Sequence, residues 1–126
     1  LVAVAGAVER YLNAIIGYDW AEFASCLTDD GFERVGPWGD TYRGKADYVA
    51  FIADLMPRLP GYEMRVDRVT YSADRRMATA ELSETVEVDG RPHKTPEALV
   101  FDLDGDRIRR IQVFIQTPGV EPRNLP

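Results

Sequence analysis

The chain has 126 residues and a formal net charge of −6, long enough for one domain with a sizeable core and the wrong sign for tracking a phosphate backbone. The arginine clusters at Arg75-Arg76 and at Arg107, Arg109 and Arg110 are interleaved with acids and read as solvated strand ends, so nucleic acid is not an expected partner. A lone Cys26 excludes an intrachain disulfide and a cysteine-based metal cage; within its helical pattern it reads as a buried, inert thiol.

The first segment, LVAVAGAVERYL, is apolar but has no basic leader region and is too short to span a membrane, which points to a cytoplasmic protein. Val4, Val8, Tyr11, Leu12, Ile15 and Ile16 recur at helical spacing and predict a helix from about Val2 to Gly17. GYDW breaks it, and Asp19 is placed to cap a second helix through WAEFASCL. A short extended piece, FERV, leads into the loop GPWGDTYRG, and KADYVAFIADLMPRL predicts a third helix stopped near Met56-Pro57. From EMRVDRVTY onward the pattern changes to period two, giving four strands joined by short hairpin turns, with a type I′ turn expected at Asp104-Gly105. Ile108 and Ile111 lie on opposite parities, which predicts a bulge near Arg109-Arg110. Pro96 within a strand suggests an edge or an irregular ladder. The last residues, 117–126, read as a loose tail to a single domain spanning 1–126.

Helices followed by an antiparallel sheet define an α+β fold with the helices on one sheet face. Curvature from a bulge would leave a cone-shaped interior with one mouth, a natural pocket. Parity within the strands exposes an anomaly. In ATAELSETVEV one face is Ala78, Ala80, Leu82, Glu84, Val86 and Val88, and in KTPEALVFDL it is Thr95, Glu97, Leu99, Phe101 and Leu103. Glu84 and Glu97 therefore point where their apolar neighbours point. A turn of about four residues would set them directly opposite, and a two-residue turn would make them diagonal neighbours. Either way the carboxyls could approach within roughly 5–8 Å. Two acids so close in an apolar cavity cannot both ionise cheaply, so one should hold a proton and supply an acid beside a base. The plain alternative is a wet mouth, or neutralisation by Arg34, Arg43 or Arg68.

RYLNAIIGYDWAEFASCLTDDGF, the RGK helix and FDLDGDRIRRIQVFI resemble the opening, middle and closing segments of the nuclear-transport-factor-2-like (NTF2-like) superfamily, over roughly Val4 to Gln116. The resemblance is to its ketosteroid-isomerase-like and SnoaL-like members. It implies the NTF2-like cone, with three N-terminal helices packed on a curved, mainly antiparallel sheet. Aligned with ketosteroid isomerases, the oxyanion-hole tyrosine falls on Tyr11, the catalytic base on Val35 and the second oxyanion donor on Leu99. Hydrocarbon cannot move a proton, so that constellation is not expected here. The Asp-Arg-Asp set of limonene epoxide hydrolases is not reproduced either, with Val113 and Ile115 facing inward on the last strand.

The expected activity is then a SnoaL-like, cofactor-independent proton transfer (isomerisation, dehydration or cyclisation) on a hydrophobic small molecule such as a polyketide, steroid or terpenoid. Glu84 and Glu97 would serve as base and acid, and Tyr11 as hydrogen-bond donor. Trp38, Tyr42, Ile15, Val35, Phe51, Leu82, Leu99, Phe101 and Val113 would form the wall. His93, in the DGRPH turn, reads as exposed rather than catalytic, and DLDGDR lacks the spacing of a calcium loop, so no metal is expected. The resemblance also implies a homodimer through the outer sheet face, where Ala98 and Val100 make an apolar patch. The other expected reading is a non-catalytic ligand-binding or dimeric assembly module.

Overall fold

The structure, a computed structural model, describes residues 6–117 and Arg123; the predicted helical residues 2–5 and most of the tail lie outside the described residues. Helix α1 covers Ala7–Ile16 and buries Val8, Tyr11, Leu12 and Ile15, the stripe read from the spacing. Helix α2 covers Trp20–Ser25, and its cap is Asp19, whose Oδ1 accepts from Glu22 N–H at 3.1 Å. Helix α3 covers Lys45–Leu55 and passes into a single 3₁₀ turn at Met56–Arg58, where Pro57 cannot supply the next helical N–H.

Six strands follow the sheet order β2-β1-β6-β5-β4-β3: β1 Glu33–Val35, β2 Thr41–Arg43, β3 Glu63–Tyr71, β4 Met77–Val88, β5 Arg91–Asp104 and β6 Arg107–Ile115. All neighbours are antiparallel except β1 against β6. Strand β2 lies inside the segment read as a loop; three residues flanked by Gly39 and Gly44 carry too little periodicity to stand out. The four long strands and three helices are those expected. Ala80, Leu82, Leu99, Phe101, Ile111 and Val113 of the concave sheet face pack with α1, α2 and α3 in one core.

Two irregularities bend the sheet. On β6 the pairing steps from Asp102↔Arg110 to Leu103↔Ile108, so Arg109 is the extra residue of the expected bulge. On β3 it steps from Val66↔Leu82 to Arg68↔Glu81, leaving Asp67 unpaired. The β5–β6 turn corrects the expected type I′ at Asp104-Gly105: the two loop residues are Gly105 and Asp106, and Gly105 alone has positive φ, 62°, as a type II′ turn requires.

Pro96 also corrects its expected place at an edge, because β5 is central, between β6 and β4. Its carbonyl accepts from Gln116 N–H at 2.9 Å on the β6 side. The missing N–H points the same way, just past the end of β6, so no bond of the β4–β5 ladder is lost.

Candidate active site in the mouth of the cone

The β4–β5 turn sets the site. Its loop residues Asp89 and Gly90 have φ of 53° and 74°, the type I′ pattern that Asp-Gly favours. Counting back from this two-residue turn, Glu84 pairs with Thr95 and Glu97 pairs with Leu82. Of the two registers open to the sequence, the structure has the diagonal one. The two side chains share the concave face, and Glu84 is near enough that its carboxyl helps to raise Glu97.

Glu84 accepts a hydrogen bond from the phenol of Tyr62, the residue immediately before β3. Glu97 Oε2 is buried without a hydrogen-bond donor. Two ionised carboxylates are acceptors only, so a hydrogen bond between them would require a proton on one. Burial first, and then the neighbouring Glu84, push Glu97 well above the carboxylate range, and Arg34 opposes this only in part. Tyr62 is likewise pushed far up, first by burial and then by the charge of Glu84, so it remains a donor. Among the described residues neither glutamate forms an ion pair. Of the three arginines that could have neutralised them, Arg43 pairs with Glu33, Arg68 with Glu81, and Arg34 with Asp40 at 3.0 Å.

Both carboxyls open on a cavity of about 360 Å³, within the range that holds a small ligand. Its apolar wall comes from α3 and the turn after it, through Phe51, Ile52, Leu55, Met56 and Leu59, with Ile115 opposite. Arg34 and Tyr62 add polar groups, and exposed His93 lies at the rim. Hollows of about 600 Å³ and about 590 Å³ lie near Arg75 and Arg109 and between α2 and α3, and the glutamates are in neither.

Of the expected wall, only Phe51 lines this cavity. The deep end of the cone is filled instead. Tyr11 stacks on Phe23 at 5.0 Å and meets Phe101 edge-on at 5.8 Å, while Tyr48 packs against Phe23 and Phe32 at 5.5 and 5.4 Å. Ile15, Leu82, Leu99, Phe101 and Val113 belong to this core. Tyr42 stands behind the wall, stacked on Phe51 at 4.4 Å. Trp38 is 77% exposed, because Gly36 and Asp40 close their loop through a 2.7 Å backbone bond that leaves it at the tip. Val35 pairs with Gln112 while Arg34 pairs with buried Ile111, so Arg34 faces the cavity and Val35 the other sheet face.

Tyr11 is one layer behind the site. Its hydroxyl meets that of Tyr48 at 2.5 Å, and both rings are buried. Burial pushes Tyr48 up to about 12, against the lowering influence of Arg34. Burial and then Tyr48 raise Tyr11 well above the ordinary phenol value. Cys26 is fully buried, and that burial raises its thiol.

The residue pattern did not single out Tyr62, and it offered Arg34 only as a counter-ion to the glutamates, though parity contained both. Tyr62 shares parity with inward Met64 and Val66, and Arg34 with buried Phe32.

A helix-lined cone with a carboxyl pair in its mouth is the arrangement this chain places on the NTF2-like fold. The chain belongs to the SnoaL-like domain family, whose model (SnoaL_2) matches residues 8–111. No curated protein matches it. Solved structures share the fold. An M. tuberculosis epoxide hydrolase of the LEH-like type is similar with TM-score 0.74 and 22% identity, over 87% of this chain and 80% of that one. A Catenulispora acidiphila protein with a ketosteroid-isomerase-like fold, in complex with trimethylamine, is similar with TM-score 0.75 and 16% identity, over 89% and 86%. A Methylobium petroleophilum protein of unknown function with a cystatin-like fold gives 0.76 and 19%, over 92% and 77%. Among the described residues no helix is long and apolar enough to cross a membrane.

Proposed function

We propose that this chain is a cofactor-independent enzyme that moves a proton on a hydrophobic small molecule, in an isomerisation, dehydration or cyclisation. The observation that carries this reading is the placing of Glu84 and Glu97 together on the cavity wall, diagonal across β4 and β5, with no ion pair to quench either among the described residues. Glu84 is the base and Glu97 the acid, a division of labour that environment alone imposes on two identical side chains. Tyr11 serves as a positioning residue, holding Tyr48 beneath the Arg34 guanidinium. The trimethylamine complex of the Catenulispora relative supports small-molecule occupancy of such a fold.

The test is deuterium uptake from solvent into a panel of small hydrophobic ketones and enones, followed by NMR. Wild type should catalyse exchange next to the carbonyl of at least one member, and Glu84→Gln and Glu97→Gln should each slow it by about 10²–10⁴-fold. Unchanged exchange in Glu84→Gln, which lacks the base, would sink the reading.

A homodimer through the outer sheet face belongs to the same proposal. Ala98 and Val100 are half-buried there, and Phe114 and Met77 are each 49% exposed on the same face, which gives it apolar side chains on β4, β5 and β6.

A further inference from the structure

Arg34 is a mostly covered cation with a donor left unmatched. A guanidinium carries five N–H donors. Here Nη1 donates to Asp40 Oδ2 at 3.0 Å, while Nε is buried without an acceptor. The pair is not the two-pronged fork that Arg and Asp usually form, since Asp40 Oδ1 is also buried without a donor. The side chain is only 13% exposed and is held over the rings of Tyr48 and Phe51, at 5.7 and 5.8 Å. Gly36 backs it so closely that a Cβ there would lie 2.6 Å from Nη1. Loop on one side and aromatic rings beneath leave the cavity as the direction in which the guanidinium meets a ligand, and Arg34 lines that cavity with Glu84 and Glu97.

Resting on the proton-transfer reading above, we propose that Arg34 is a further catalytic residue that binds the carbonyl oxygen of the substrate, so that the substrate class is a hydrophobic ketone, aldehyde or enone. Charge conservation favours this class over a carboxylic acid. With Glu84 ionised, a second full anion entering the cavity meets repulsion at close range in a poorly screened site. A neutral carbonyl compound enters without that cost. Glu84 then takes the proton from the carbon next to the carbonyl. The C–H electron pair becomes the C=C bond of an enolate, and the carbonyl π pair moves onto oxygen. Negative charge leaves Glu84 as it arrives on the oxygen at Arg34, so the total charge of the cavity is unchanged. The proton on Glu97 is delivered either to a different carbon, completing an isomerisation, or to a departing hydroxyl, which leaves as water. A donor aimed at charge that develops only in the transition state contributes where it lowers the barrier.

Substituted phenols of similar shape and graded acidity are suitable probes, because a phenolate reproduces the planar enolate and its absorbance differs from that of the neutral phenol. Wild type should bind them with the phenolate band appearing below the free phenol's own titration, and more tightly as acidity rises. Arg34→Met should lose the phenolate band and bind about tenfold or more weakly, with Arg34→Lys between the two. The Nε–H resonance of Arg34 in nitrogen-15-labelled wild type, assigned by its loss in Arg34→Lys, should move on phenol addition, and this needs no folded Met variant. Phenols bound un-ionised, an ionisation equal in wild type and Arg34→Met, an unmoved Nε–H resonance or no binding at all would each overturn the anchor. Deuterium exchange keeps the two ideas apart. If phenolate binding depends on Arg34 but Glu84→Gln exchanges like wild type, the proton-transfer reading fails and the anchor stands. If Glu84→Gln abolishes exchange while phenol binding ignores Arg34, the anchor alone fails.

Discussion

Tyr62 and Glu84 join two strands at the lip of the cavity: the phenol, just ahead of β3, donates to a carboxylate on β4 whose backbone partner is Met64. Tyr62 lies half-buried and Glu84 shares its contact with Glu97. A hydrogen bond to a charged acceptor contributes about 1.5–3 kcal/mol. A double-mutant cycle of Tyr62→Phe and Glu84→Gln, read by urea denaturation, should therefore show a coupling of about 1 kcal/mol or more. Additive effects would mean that the phenol does not recognise the carboxylate.

The upward shift of Glu97 makes stability depend on pH in a direction unlike that of a salt-bridged acid. Its folded value is raised from 4.5 to about 10, chiefly by burial. Below the unfolded value both states hold the proton and there is no penalty. Between about 4.5 and about 10 the unfolded chain releases it while the folded chain does not, so stability falls as pH rises. Glu97→Gln removes this titration. Its stability should match wild type in acid and exceed it increasingly through neutral pH, by at most about 1.4 kcal/mol per pH unit. Parallel curves for the two proteins would contradict a protonated Glu97.

At the β4–β5 turn, Gly90 has φ of 74° and Asp89 has φ of 53°. A β-branched side chain at Gly90 is strained there whatever the space around it. Gly90→Val should lower stability by about 1–3 kcal/mol, whereas Asp89→Gly, which accepts the left-handed region freely, should cost about 1 kcal/mol or less. Equal effects of the two, measured by thermal melting, would rule out a type I′ turn as the device that sets the register.

Phe114 tests the proposed dimer. A carboxylate placed in an apolar interface must be desolvated without a partner. Phe114→Glu should convert the dimer to a monomer in sedimentation velocity while leaving phenol binding in place. A wild-type mass of one chain would remove the dimer from the proposal.

Much of the fold was legible because it repeats. Helical spacing in α1, alternation in β3 to β6 and the parity break at Ile108 and Ile111 each recur over enough residues to stand out. The acid pair was legible for the same reason, as two charges interrupting an apolar alternation. Its partners were harder. Arg34 stands on a three-residue strand, where one step of register decides which face a side chain takes, and only Phe32 two residues earlier gave the parity away. The extent of the cavity was not legible at all. Whether inward residues line a hollow or fill one depends on how far α1 and α3 approach the sheet. Five aromatic rings, those of Tyr11, Phe23, Phe32, Tyr48 and Phe101, close the deep end that the residue pattern left open.

The cavity draws its two kinds of wall from different layers. Glu84 and Glu97 are locked to each other by the main-chain ladder of the β4–β5 hairpin, and no loop has to close to bring them together. Phe51, Leu55 and Leu59 come from α3 and the turn after it. In the proposed function, reaction and selectivity would thus be inherited through separate segments. Substitutions along one face of a helix would change which molecule fits while the hairpin keeps the same pair of carboxyls at the same spacing, so under the proposed function new substrates would be reachable in single steps that leave the proton chemistry untouched.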